Sequence, residues 1–214
     1  GTGGGYAKCE EAPAIPSSGL HVVDISDPSN PALLGGVTWE GDEGPPWPRD
    51  IEVVDGVAYV AGRNGLITIN VTDPEAPTVL DIYDYWKEAS CQSVYEGDVA
   101  MIAYCSSWGA ASTVEIVDER AYLSGWHVGL MVIDISTPDN MSLVGYDLPP
   151  QSLDPTVNGS VDFVAHHGGF AFAATRNAGL SVYDLSVPFG WSLGDSLVGS
   201  FLPPQEEIDA LYVH

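Results

Sequence analysis

The chain has 214 residues, 45% of them hydrophobic, with 30 Asp and Glu against 6 Lys and Arg and a formal net charge of −24. That length holds one large all-β domain or two small ones, and the apolar content suffices for a core. So negative a surface repels phosphate backbones and anionic lipid, and no run approaches the roughly 18 apolar residues of a membrane helix, so neither nucleic acid nor membrane insertion is expected.

The sequence starts at Gly1 rather than Met and shows no signal-peptide pattern, as expected of a mature or excised segment. Gly1-Thr2-Gly3-Gly4-Gly5 lacks the Lys and following helix of a phosphate-binding loop and reads as a flexible seam. The first strong pattern is Gly19-Leu20-His21-Val22-Val23-Asp24-Ile25-Ser26-Asp27-Pro28. It returns from Gly65 to Pro74, from Gly129 to Pro138 and from Gly179 to Pro188. Each copy is a β-branched-rich strand running into a turn. There Asp or Asn and the next Ser or Thr can bond backbone amides, and Pro stops the strand. These residues recur because the turn needs them, so they carry no expected ligand role.

Upstream of three copies stand IEVVDGVAYVAG (51–62), VEIVDERAYLSG (114–125) and VDFVAHHGGFAFAA (161–174), each read as two strands joined by a tight turn. Downstream of every Pro comes one more strand: PALLGGVTW, PTVLDIYDY, MSLVGYDLP and DSLVGSFLP. Four strands in roughly 50 residues is the size of a propeller blade. The expected fold is all-β, a single β-propeller domain over 1–214. Its repeat cores are 5–47, 49–84, 112–149 and 160–204, with residues 208–214 completing the first blade. Ile208–His214 matches Val161–His167, and Gly5–Lys8 matches Gly169–Phe172, so the N- and C-terminal strands are expected to pair and close the ring. Pairing with neighbouring molecules is the alternative.

The long second interval holds an insertion, 85–111, read as a hairpin added to a four-bladed ring; a degenerate fifth blade is the other reading. Within it Cys91 and Cys105 bracket SVYEGDVAMIAY, a hairpin turning near Gly97-Asp98, which sets them opposite each other for a disulfide. Three reduced thiols are the alternative, and Cys9 is left over in either case. Sequons at Asn70, Asn140 and Asn158 are candidate glycosylation sites of an exported protein; Asn70 lies at a strand end, where a structural role competes.

GLHVVDISDPSNP and GLMVIDISTP, each coupled to a VAYVAG-like strand, resemble LVIVD-repeat proteins. The resemblance covers nearly the whole chain apart from 1–18 and 81–111. It implies a β-propeller of the kind common in exported and cell-surface proteins, and it transfers no catalytic residue.

Chemistry is sparse. His21, His127, His166, His167 and His214 show no zinc-ligand spacing and read as turn and surface residues. Motifs for nucleophile elbows, metalloprotease helices and covalent haem are absent from the sequence. Glu40, Asp42, Glu43, Asp81 and Asp84 lie in corresponding inter-blade regions and could gather oxygen ligands for Ca²⁺; solvated loop charge is the other reading. Otherwise no cofactor is expected. Trp39, Trp47 and Trp86 are candidate binding aromatics for a protein or glycan, with inter-blade packing as the alternative. The functional expectation is a non-enzymatic, extracellular or cell-surface interaction propeller, adhesive or self-assembling into filaments or arrays, whose partners are proteins, including copies of itself. A metal-dependent propeller enzyme or a lectin-like binder is the alternative.

Overall fold

The computed structural model describes residues 19–39, 47–62, 65–84, 111–125, 129–147, 161–175, 179–187 and 196–201. They form β1 (Gly19–Asp24), β2 (Ala32–Thr38), β3 (Pro48–Val54), β4 (Val57–Gly62), β5 (Gly65–Asn70), β6 (Thr78–Asp84) and β7 (Ala111–Val117). Then follow β8 (Arg120–Gly125), β9 (Gly129–Asp134), β10 (Ser142–Asp147), β11 (Phe163–His167), β12 (Phe170–Thr175), β13 (Gly179–Asp184) and β14 (Leu197–Phe201). Strands β3–β6, β7–β10 and β11–β14 each make a four-stranded antiparallel sheet in chain order, and β1–β2 make a two-stranded one.

Local chemistry explains each connection. The first two strands turn through Asp55-Gly56 (φ 49° and 79°) in blade two and Gly168-Gly169 (58° and 84°) in blade four, the left-handed pair whose twist suits a two-residue hairpin, and through Asp118 (52°) and Glu119 in blade three. The third strand ends where an Asp or Asn side chain folds back on the chain. Asp24, Asn70, Asp134 and Asp184 each accept from the amide two residues on, at 2.8, 3.0, 2.9 and 2.9 Å. Hydrogen bonds from Ser136, Ser186 and Ser26 hold the carboxyls of Asp134, Asp184 and Asp24 below the usual range. The fourth strand carries a bulge at one place in all four sheets, between Val22/Val23, Thr68/Ile69, Leu143/Gly145 and Val182/Tyr183 on the paired strands. A repeated bulge imposes the same extra twist on each sheet.

The sheets pack face to face in series. First strands β3, β7 and β11 lie side by side, so they are innermost. Three apolar layers separate successive sheets. Leu20, Val37 and Trp39 meet Ile67, Ile69 and Val71; Tyr59, Leu66 and Tyr83 meet Ile133, Ile135 and Met131; Tyr122, Leu130 and Val132 meet Val164, Ala173 and Tyr183. The fold is a β-propeller of four blades among the described residues. The inserted hairpin with Cys91 and Cys105, and the terminal strands expected to close the ring, lie outside the described residues.

Candidate functional site

Two kinds of surface present themselves: the polar joints between inner strands with the cleft above them, and the faces of the first and last blades.

The joints are built from side chains that bond the backbone of the next blade. Asp50 Oδ2 accepts from Val114 N at 3.0 Å and Glu52 Oε2 from Ile116 N at 2.7 Å. One blade further on, Thr113, which aligns with Asp50, accepts at Oγ1 from Val164 N (3.1 Å) and also contacts Ser124 Oγ (2.8 Å). Glu115, which aligns with Glu52, meets His166 Nδ1 at 2.9 Å. An additional joint links blades two and three: Thr68 Oγ1 donates to the Pro138 carbonyl at 2.6 Å, and Asp81 Oδ2 accepts from Met141 N at 2.9 Å. Burial outweighs these bonds at Glu52 and pushes its carboxyl up; at Asp81 the other oxygen accepts from Ile82 N at 2.8 Å.

Above the joints, at the N-terminal ends of the inner strands, an open cleft of about 520 Å³ is lined by Trp47, Pro48, Arg49, Ser112, Thr113, Asp162 and Phe163. Two further bulges, between Pro48/Asp50 and Ala111/Thr113, insert Arg49 and Ser112 as extra residues of the inner strands, and both line the cleft. Trp47 is 56% exposed at the rim. A crevice of about 170 Å³ between blades one and two shares Pro48 and Arg49 with it.

The expected site residues distribute unevenly over this geometry. Trp47 lines the cleft, whereas Trp39 is buried against Val60 and Ile67, and its indole N–H has no acceptor among the described residues. Asp81 engages both oxygens with backbone amides, and Asp84 lies at the end of β6. Among the described residues no three His, Cys, Asp or Glu side chains come together as a metal site. Asn70 forms the strand-end turn and also takes the Thr72 hydroxyl at 2.7 Å; the exposed Asn140 donates its backbone N–H to Thr137 O. Glu40, Asp42, Glu43, Trp86, Cys91, Cys105 and Asn158 lie outside the described residues. Sequence reasoning missed the joint residues Asp50, Glu52, Thr68 and Thr113. The signal for two of them was present: Asp50 and Glu52 alternate with Ile51 and Val53 on one strand.

The end blades differ from the middle ones. At one third- and fourth-strand position set, Ile69, Val71 and Val79 pack toward blade one, Ile133, Ile135 and Leu143 toward blade two, and Tyr183, Leu185 and Leu197 toward blade three. The aligned residues of blade one are Val23, Ile25 and Leu33, which are 45%, 69% and 66% exposed. On the opposite side of the array, Phe201 aligns with the buried Tyr83 and is 60% exposed, with Val198 beside it at 57%.

The LVIVD repeat matches at residues 14–38, 48–85, 108–146 and 158–189, so all four blades carry it. No curated protein matches. Among solved structures the chain is similar to the computationally designed Ika8 protein (11% identity, TM-score 0.53), over 86% of this chain and 44% of that one. It is also similar to the computationally designed Ika4 protein (12% identity, TM-score 0.51), over 83% and 85%. The chain thus spans less than half the length of Ika8, and at such identity the likeness concerns the fold alone.

Proposed function

The chain belongs to the LVIVD-repeat family, and from that premise we propose that it is a non-catalytic interaction module of an extracellular or cell-surface protein. One observation carries the reading: apolar side chains that the repeat buries elsewhere stand open on blades one and four, at 45–69% exposure. Contiguous exposed apolar area of this kind marks interaction surfaces. The acidic balance supports a location where salt or Ca²⁺ screens the self-repulsion, and the family resemblance supports export. The joint carboxylates Asp50 and Asp81 accept from backbone amides, a structural rather than a chemical task.

Labelling intact source cells with a membrane-impermeant amine reagent, followed by mild cross-linking, tests this. The expected result is a labelled chain cross-linked to protein; a chain reached only after lysis contradicts it.

A second reading has its own observation, the exposed Trp47 over the cleft with Arg49 and Asp162. An indole face beside charged groups suits a sugar ring that stacks and hydrogen-bonds at once. Binding on a glycan array that Trp47→Ala abolishes would establish it; an array without signal removes it.

A further inference from the structure

The open faces of blades one and four have a template within the molecule. Each interior joint seats the Ile69/Val71/Val79 position set of one blade on the outward face of the blade before it. In blade two that outward face includes Leu66 and Tyr83; in blade three it includes Leu130, Val132 and Val144. Blade one offers the first member of this fit, Val23, Ile25 and Leu33, which no described residue covers. Blade four offers the second, Leu180, Val182, Val198 and Phe201, of which the last two are more than half exposed. Among the described residues both faces are open in the same molecule and do not cover each other.

Resting on the interaction reading above, we propose that the partner is a second copy of this chain, joined head to tail. The Val23/Ile25/Leu33 face of one copy seats on the Val198/Phe201 face of the other. The contact continues the series of interior joints with one difference. The residues aligned with Asp50 and Glu52 in blade four are Phe163 and Ala165, so these two positions bring no carboxylate to the contact. A heterologous contact of this kind closes a ring when two copies make it twice, or runs on as a filament when the rotation does not close. Each copy carries −24, so the contact strengthens as salt screens the repulsion.

Sedimentation velocity of the purified full chain, over a wide concentration range at low and high salt, tests the proposal. Wild type is expected to form species of two or more chains, favoured by concentration and by salt. Leu33→Asp and Phe201→Asp are each expected to sediment as monomers. Mixed in equal amounts, they are expected to give a two-chain species and nothing larger, because the first keeps the blade-four face and the second keeps the blade-one face. Circular dichroism checks the folds, and Ile25→Lys with Val198→Lys repeats the test should either variant unfold. Wild type that stays monomeric at every concentration and salt overturns the proposal, as does a mixture of folded variants that stays monomeric. A monomer that is still surface-labelled and cross-linked to another protein leaves the interaction reading standing and removes the second copy alone.

Discussion

Blades two and three meet through both apolar packing and polar bonds, and the described residues of blades one and four present apolar side chains to their outer sides. Between the middle blades, Leu66, Tyr83, Ile133 and Ile135 exclude water while Asp50, Glu52, Thr68 and Asp81 bond across the seam. Those polar groups fix register, because an amide left unpaired there would carry a desolvation cost. Among the described residues the outer faces keep the apolar positions, and blade four has Phe163 and Ala165 where blade two has Asp50 and Glu52. Apolar contact tolerates separation and rejoining, whereas a buried half of a hydrogen-bonded pair does not. The middle of the molecule is therefore built to stay together, and the ends are where the proposed contact would form.

The largest expected effect comes from cutting the same position in the two settings. Ile69 is fully buried and its counterpart Val23 is 45% exposed. Ile69→Ala should cost about 3 kcal/mol in urea unfolding, and Val23→Ala in dilute monomer well under ~1 kcal/mol. Equal losses would erase the distinction between middle and end.

Next is the additional joint between blades two and three. Thr68 stands where the other blades have Val22, Val132 and Val182. Thr68→Val keeps the shape, removes the donor to Pro138 O and should lower stability by about 1 kcal/mol. No change would mean that the 2.6 Å contact only occupies space.

How far the sequence foretold this contrast depends on the residue. The strand-end turns were legible because Asp24, Asn70, Asp134 and Asp184 act on residues two positions away, and such local bonds need no tertiary knowledge. The tight turns at Asp55-Gly56 and Gly168-Gly169 were legible for the same reason. The joints were not. Asp50 and Glu52 are the charged positions of an alternating strand, yet Ile51 and Val53 are the exposed ones, at 45% and 57%, while the carboxylates bond the next blade. Alternation states that a strand has two faces; only the packing of a neighbouring sheet decides which is inside. Trp39 and Trp47 illustrate the same limit. They stand on either side of residues 40–46, and one is core while the other is rim.

The smallest effects are two pH slopes of opposite sign. Glu52 has its pKa raised by burial, so the fold favours its protonated form. Its contribution to stability should fall as pH rises from the ordinary value of 4.5 through the raised one. Glu52→Gln, which keeps an acceptor for Ile116 N, should flatten that slope. Asp134 has its pKa lowered by the Ser136 bonds, so its contribution is in place above 3.8 and is lost as pH falls through the lowered value. Asp134→Asn, which copies the Asn70 turn, should remove that acid-side loss. Chemical denaturation between pH 3 and 7, with wild type beside the two variants, reads both; parallel curves for all three would refute the assignments.

Hydrogen–deuterium exchange followed against protein concentration tests the contrast between middle and ends most directly. Amides of β4, β5, β8 and β9 should be protected at every concentration, while those of β1, β2 and β14 should exchange fast in dilute protein and become protected as concentration rises. Protection of β1, β2 and β14 that is already complete at the lowest concentration would mean the end blades are covered within one molecule, and would contradict the account.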